Sequence, residues 1–373
     1  MSDAAVLAPA RAPDPRLGSV VDLDGFEAIA RERMAPAAFD YVAGGAGGEE
    51  SLAENVAAWR RRRLRPRVLV DVSTVSAATT LLGSPATMPV AIAPMASHGL
   101  ADPGAESATA RAAAAAGIPY THSTMSNHSI EDVARAAPDG VRWFQLYLQR
   151  DRGFARSLCE RAAAAGYRAI VLTVDLPVLG IRERDRRHGF HLDVPLGNFP
   201  DGRAVDDESV AAVAGFDALG GQRHLGLTWD GLAEIRAWTG LPLVLKGVMT
   251  AEDAALAAEH GVDAIVVSNH GARQLDRVHA PVDVLEASVS AVGGRCEVWV
   301  DGGVRRGIDV AIALALGARG VLIGRPMFWA LAAGGEEGVA RALALLREEF
   351  LVTLALLGTP TVAAVGRAHV TEG

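Results

Sequence analysis

The sequence predicts an α/β protein: a (β/α)8 TIM barrel with an N-terminal helical extension and a long lid loop after strand four. Three observations carry this prediction. From residue 88 onward, short β-branched or apolar runs alternate with alanine-rich stretches of helical period, the pattern of parallel strands joined by crossover helices. Eight such runs can be counted, and each is followed by glycines or reactive side chains, as expected where loops after barrel strands carry the chemistry. No Pro/Gly/Ser-rich linker divides the middle of the chain, so two doubly wound domains would lack a boundary.

The predicted strands are Met88 to Ala93, Ile118 to Thr121, Val141 to Tyr147, Ala169 to Val174, Leu243 to Lys246, Ala264 to Ser268, Glu297 to Asp301 and Gly320 to Ile323. Between them, Asp102-Pro103 opens a helix that Gly117 stops, and the same start and stop signals recur at Thr250 to Gly261 and Gly307 to Gly317. The polar segment 189–228 is too long for an ordinary βα connection and reads as a partly mobile lid. Residues 1–20 read as a flexible Ala/Pro leader and 21–373 as one barrel domain. Within Asp24 to Asn55, an amphipathic helix precedes AGGAGGEE; this part either closes the bottom of the barrel or delivers a residue to the top.

Composition excludes several classes. Apolar residues make up 50% of the 373 and charged ones 21%, enough for a large core and unlike a disordered or fibrous chain. The net charge of −8 gives no basic surface for nucleic acid or an anionic membrane. Every apolar run is broken before it reaches the roughly 18 residues of a membrane helix. Cys159 and Cys296 form no C-x-x-C pair and no zinc cluster. No metal site is expected, and a reducing cytoplasm is the expected location.

Four constellations and a lysine carry chemistry. In VWVDGGVRRG and VLIGRP, Gly302 and Gly303 free backbone N–H groups after a strand, and Arg305 and Arg325 add charge. After strands seven and eight this suits a phosphate, although a tight turn with solvated arginines is the plainer alternative. In SNHGARQLD, His270 can exchange a proton and Arg273 can hold a carboxylate. In LTVDLPVLGIRERD, Asp175 can orient a histidine and Arg182 offers a second anion contact; a helix cap with an exposed arginine is the alternative.

In WFQLYLQ, Gln145 and Tyr147 share one strand face and can meet a planar heterocycle and a substrate oxygen, or fill a core layer. Lys246 ends an apolar strand, where burial demands an anion or an electron-rich ring. A flavin is the expected partner, with a Schiff base as the chemical rival.

With FDYVAGGAG, PVAIAPMASHGLADPGAESATARAA, STMSNHSIEDVA and LVLKGV added to these blocks, the chain resembles the FMN-dependent α-hydroxy-acid oxidase and dehydrogenase family. The likeness runs from about Asp24 to Val365. It implies FMN as cofactor and oxidation of an L-2-hydroxy acid to a 2-oxo acid. By position, His270 resembles the base, Asp175 its orienting carboxylate, Arg182 and Arg273 the carboxylate clamp, and Tyr41 and Tyr147 hydroxyl partners. Lys246 resembles the lysine at flavin N1, and Ala93, Pro94, Met95, Ala96, Ser123, Gln145 and Thr173 the ring contacts. Ser268 falls in the cofactor-binding set, and Asp301, Gly302, Gly303, Arg305, Gly324 and Arg325 resemble the ribityl and phosphate contacts.

Either the Cα proton or the hydroxyl proton is the one removed. Met95 and Met125 replace residues common in relatives and suit an apolar or aromatic acid, or are simple packing. Some blocks lean towards lactate oxidase and others towards hydroxymandelate oxidase, leaving substrate size open. Oxygen, giving hydrogen peroxide, is the expected acceptor; another acceptor, a decarboxylating monooxygenase outcome and a non-catalytic flavin-binding module are the alternatives. The resemblance further implies a homotetramer or octamer.

Overall fold

The computed structural model describes residues 7–190, 192, 194–200 and 226–372. The expected lid, 189–228, lies mostly outside the described residues.

Eight parallel strands close into a barrel in which sequence neighbours pair and the last strand meets the first. They are β1 (Val90–Ile92), β2 (Tyr120–Ser123), β3 (Arg142–Leu146), β4 (Ile170–Thr173), β5 (Leu243–Val248), β6 (Ala264–Val267), β7 (Glu297–Val300) and β8 (Gly320–Ile323). All eight predicted runs are strands. The second was misplaced: Ile118 and Pro119 precede the ladder, and pairing with β3 starts at Tyr120.

Period-two alternation sorts each strand between two cores. Ile92, Phe144, Ile170, Leu172, Leu245, Ile265, Val300 and Val321 face the helices. Ala91, Trp143, Val171, Val244, Val266, Trp299 and Leu322 fill the barrel, with Trp143 and Trp299 edge-on at 5.2 Å. The hairpin Thr79–Leu81 and Ser84–Ala86 adds Leu81 and Ala86 to this inner cluster, and the Leu82 N–H donates to Glu297. One end of the barrel is thereby closed with apolar material.

The helices are α1 (Gly25–Arg33), α2 (Pro36–Ala43), α3 (Glu50–Arg60), α4 (Ala105–Ala116), α5 (Ile130–Ala136), α6 (Arg152–Ala164), α7 (Glu183–His188), α8 (Leu232–Ala237), α9 (Ala251–Glu259), α10 (Pro281–Val292), α11 (Gly307–Ala315) and α12 (Arg325–Leu357). Non-helical torsions at Gly334 and Gly335 break α12. The start expected at Asp102-Pro103 falls later, because the Asp102 carboxylate accepts the Gly104 N–H and forms a turn before the helix. Thr250 caps α9 through the Asp253 N–H, as its sequence signal predicts.

Part of the expected leader is docked. Residues Pro15–Ser19 form a short 3-10 helix, the Asp14 N–H donates to Ala333 O at 2.9 Å, and Val20 is buried. Among the described residues no helix is long and apolar enough to cross a membrane.

Candidate active site

The alternation that fills the barrel also builds the floor of the site. One inward position further along the strands from the Trp143–Trp299 layer come Ala93, Ser123, Gln145, Thr173, Lys246, Ser268, Asp301 and Gly324. Their side chains form a ladder across neighbouring strands. Gln145 accepts from Ser123 Oγ at 3.2 Å and donates to Thr173 Oγ1 at 3.0 Å. Lys246 Nζ donates to Ser268 Oγ and to Asp301 Oδ2, both at 2.9 Å. Burial would lower the Lys246 amine, but Asp301, with Asp175, holds it above its ordinary value. The ammonium therefore stays charged in a dry place.

Above this floor opens a cavity of about 340 Å³. Of the predicted residues, it is lined by Tyr41, Ala93, Pro94, Met95, Ala96, Ser123, Met125, Tyr147, Thr173, Arg182, Lys246, His270, Arg273, Asp301, Gly302, Gly303, Arg305, Gly324 and Arg325. Gln145, Asp175 and Ser268 stand behind the wall, each bonded to a residue that lines it.

His270 follows β6 on a left-handed backbone, φ 58°. Its Nδ1 lies 2.8 Å from Asp175 Oδ1 and its Nε2 lies 3.4 Å from the Tyr147 hydroxyl. This arrangement suits Nδ1–H donating to the carboxylate, which leaves the Nε2 lone pair towards Tyr147 and the cavity. Burial pushes the imidazole below its ordinary value despite the opposing pull of Asp175, so it is neutral near pH 7. Burial would raise the Asp175 carboxyl, but His270 and Lys246 hold it below the usual carboxylate range.

The two expected clamp arginines converge on one ring. Arg273 and Arg182 lie 5.0 and 5.9 Å from the Tyr41 centroid, so α2 delivers its tyrosine to the top of the barrel. Phe190 stacks on Tyr41 at 4.7 Å. Arg273 Nη1 donates to the carbonyls of Tyr41 and Gly44 at 2.6 and 2.9 Å. Burial, then the neighbouring Arg182, pushes its guanidinium down to about 10, still charged at neutral pH.

Arg305 and Arg325 are placed less simply than a phosphate contact suggests. Arg325 donates to Val42 O, Gly271 O and Gly44 O at 2.8, 2.9 and 2.8 Å, locking the α2 end to the His270 loop. Arg305 pairs with Asp24 at 3.2 Å. What remains for a phosphate is backbone: among the described residues none accepts from the N–H groups of Gly302, Gly303, Gly324 or Arg325, the last at the start of α12.

These residues fit FMN. Five arginines, Arg182, Arg186, Arg273, Arg305 and Arg325, line the cavity, and among the described residues no carboxylate pairs with Arg273 or Arg325. Partly buried cations without a carboxylate partner favour a bound anion. Asp301 Oδ1 and Asp175 Oδ2 are buried with no partner among the described residues, acceptors still open for ligand hydroxyls or donors.

Comparison with known proteins agrees. The model of the family "FMN-dependent dehydrogenase" matches residues 30–372. The chain belongs to this family. FMN is its cofactor, and the protein is an FMN-dependent oxidoreductase acting on a CH–OH group. An L-lactate oxidase of Nostoc sp. is 47% identical over 348 residues, 92% of this chain and 95% of the relative. Glycolate oxidase of Spinacia oleracea is 45% identical over 355 residues, 94% and 95% of the two chains. The structure of a mandelate oxidase with (S)-4-hydroxymandelic acid superposes with a TM-score of 0.89 at 43% identity, covering 95% of this chain and 99% of that one.

Sequence reasoning missed several residues of this cavity. Leu176, Leu179, Asp185, Phe190 and Phe328 also line the cavity. Asp185, three residues after Arg182, was within reach, since its Oδ2 lies 3.8 Å from Arg182 Nη1. Phe190 gives no such signal. Among the described residues no group of His, Cys, Asp or Glu is placed to hold a metal.

Proposed function

We propose that this protein oxidises an (S)-2-hydroxy acid with an apolar side chain to the 2-oxo acid, with oxygen as the acceptor and hydrogen peroxide as product. The convergence of His270, Arg182 and Arg273 on one cavity above the Lys246–Asp301 pair carries this reading. FMN, when bound, supplies the two-electron acceptor. Ala93, Pro94, Met95, Ala96, Ser123, Gln145, Thr173, Lys246 and Ser268 would hold its ring. Asp301 would hold its ribityl group and the backbone N–H groups of Gly302, Gly303, Gly324 and Arg325 its phosphate, with Arg305 and Arg325 adding positive charge nearby.

The protein's own part is positioning and proton transfer. Arg182 and Arg273 take the substrate carboxylate in charge-assisted hydrogen bonds, backed by Tyr41. The Tyr147 hydroxyl, 3.4 Å from His270 Nε2, suits the substrate oxygen. His270 accepts a substrate proton at Nε2, and Asp175 stabilises the imidazolium that forms. The carboxylate thus stays fixed while the carbon and oxygen it carries are presented to the base.

Met95, Met125, Leu176 and Phe190 line the same cavity and support a substrate larger and more apolar than glycolate. Oxygen is supported by the relatives, which are named oxidases. A cytoplasmic location is supported by the two free cysteines and a homo-oligomer of four or eight subunits by the family resemblance, read out by cell fractionation and sedimentation. The test of substrate and acceptor is anaerobic mixing of the yellow protein with glycolate, (S)-lactate, (S)-mandelate and a long-chain acid, then aeration and peroxide assay. The reading expects bleaching by (S)-lactate or (S)-mandelate above glycolate, with peroxide on aeration. Glycolate as the best substrate, or reoxidation that requires another acceptor, overturns it.

A further inference from the structure

The base stands on a backbone that needs an explanation. His270, Gly271 and Ala272 have φ of 58°, 63° and 61°, a left-handed turn in which two of three residues carry a Cβ that disfavours it. Gly271 suits this turn, whereas the Cβ of Ala272 opposes it. Something outside must hold it.

The holding group is an amide pair across the α3 contact. Asn55 Nδ2 donates to Asn269 Oδ1 at 2.9 Å, and Asn269 Nδ2 donates back to Asn55 Oδ1 at 2.7 Å. Both residues are buried. The same Asn269 Oδ1 accepts the Ala272 N–H at 3.0 Å, while the Asn269 carbonyl accepts it at 2.9 Å. One side chain thus spans the turn, and its orientation is set by a partner on a helix outside the barrel. A reciprocal pair needs a donor and an acceptor on each partner at fixed separation, which an amide supplies and an aliphatic or ionised group does not.

The helix that carries Asn55 is itself fastened to both loops. Trp59 Nε1 donates to Gly302 O at 2.8 Å, and the Ser51 N–H donates to Asp276 Oδ1 at 2.8 Å. A Cβ at Gly303 would lie 1.9 Å from Asn55 O. α3 therefore spans from the His270 loop to the glycine loop after β7. Arg273, four residues beyond Asn269, has its own anchors at Tyr41 O and Gly44 O, so the carboxylate clamp does not depend on the amide pair.

We propose that Asn55 is a positioning residue for the reaction: through Asn269 it sets the left-handed turn that aims His270 Nε2 into the site. This rests on the reading of His270 as the base.

The test compares wild type with Asn55→Asp, Asn55→Leu and His270→Gln as FMN-loaded proteins. Flavin reduction by a saturating 2-hydroxy acid is followed anaerobically, with acid affinity and FMN affinity measured alongside. For the Asn55 variants, misaiming the base slows reduction by on the order of 10- to 100-fold, while acid affinity stays within about threefold because the Arg273 anchors are separate. The acid limb of the reduction profile also moves, since Asp175, Lys246, Arg182 and Tyr147 face His270 and its distance to Asp175 changes.

Wild-type reduction with an unmoved acid limb in both variants overturns the proposal. So does a loss of rate matched by an equal loss of acid affinity. Should Asn55→Leu not hold FMN, Asn55→Asp and Asn55→Ser decide by the same criteria. Wild-type reduction by His270→Gln defeats the assignment of the base instead, whereas an inactive His270→Gln beside fully active Asn55 variants defeats only the role of Asn55.

Discussion

His270 Nδ1 lies 2.8 Å from Asp175 Oδ1, and this contact is possible because residue 247 has no side chain. Gly247 has φ 114°, and a Cβ there would lie 2.5 Å from Asp175 Cβ. Gly247 directly follows Lys246 on β5, so one strand end both presents the ammonium and makes room for the carboxylate that orients the base. Gly247→Ala is expected to displace Asp175 and slow flavin reduction by on the order of 10- to 100-fold with the yellow cofactor retained. Anaerobic reduction kinetics and the visible spectrum check this.

Asp175→Asn keeps the shape and removes the charge that stabilises the imidazolium. The expected loss is about 10²- to 10⁴-fold in the rate of reduction, with acid affinity little changed, since Arg182 and Arg273 are untouched. Rapid-mixing kinetics at several acid concentrations separate rate from affinity.

The two clamp arginines should differ when removed. Arg182 Nε donates weakly to Arg273 O at 3.3 Å, whereas Arg273 ties three carbonyls of the segment 41–44. Either replacement by Met should weaken acid binding by about 10- to 100-fold, the worth of a charge-assisted hydrogen bond. Arg273→Met should also lower the melting temperature, and Arg182→Met should leave it nearly unchanged. Acid titration and thermal unfolding of both variants check the contrast.

pH should act through His270. Its imidazole is held by burial below its ordinary value of about 6.5, and the base works unprotonated. Reduction should therefore be constant at neutral pH and fall as pH drops through a value lower than about 6.5. A depressed value also means that protonation disfavours the folded state, so this contribution to stability is lost as pH falls through it. The pH profile of anaerobic reduction, beside melting temperatures over the same range, tests both signs.

Lys246→Met leaves Asp301 buried without its 2.9 Å partner. Breaking a buried pair on one side costs about 3–5 kcal/mol, and the cofactor loses a charged neighbour at its floor. Lower thermal stability together with slower reduction is expected, measured by melting and by anaerobic kinetics.

The barrel and much of its site were legible because alternation along a strand is a local property. Trp143 and Gln145 are two apart, as are Val244 and Lys246, and Trp299 and Asp301, so the face that fills the core also names the residues one layer above it. His270, Arg273, Asp175 and Arg182 were found because each follows a strand end within a short loop. What was not legible depends on contacts between distant segments. The Arg325 guanidinium serves Val42, Gly44 and Gly271, and no pattern around residue 325 foretells those carbonyls. Asn55 and Asn269 are 214 residues apart, and each alone looks like a polar residue on a helix or in a loop. Phe190 stacks on Tyr41 from a stretch whose polarity suggested only a lid.

The most direct measurement of the central claim is anaerobic mixing of the FMN-loaded protein and its His270→Gln variant with (S)-2-hydroxy acids, following the flavin absorbance. If the imidazole and the two guanidinium groups serve one substrate, wild type bleaches rapidly with an (S)-acid, while His270→Gln binds the acid and stays yellow. A wild-type spectrum unmoved by every acid, or a variant that bleaches as fast as wild type, contradicts the account.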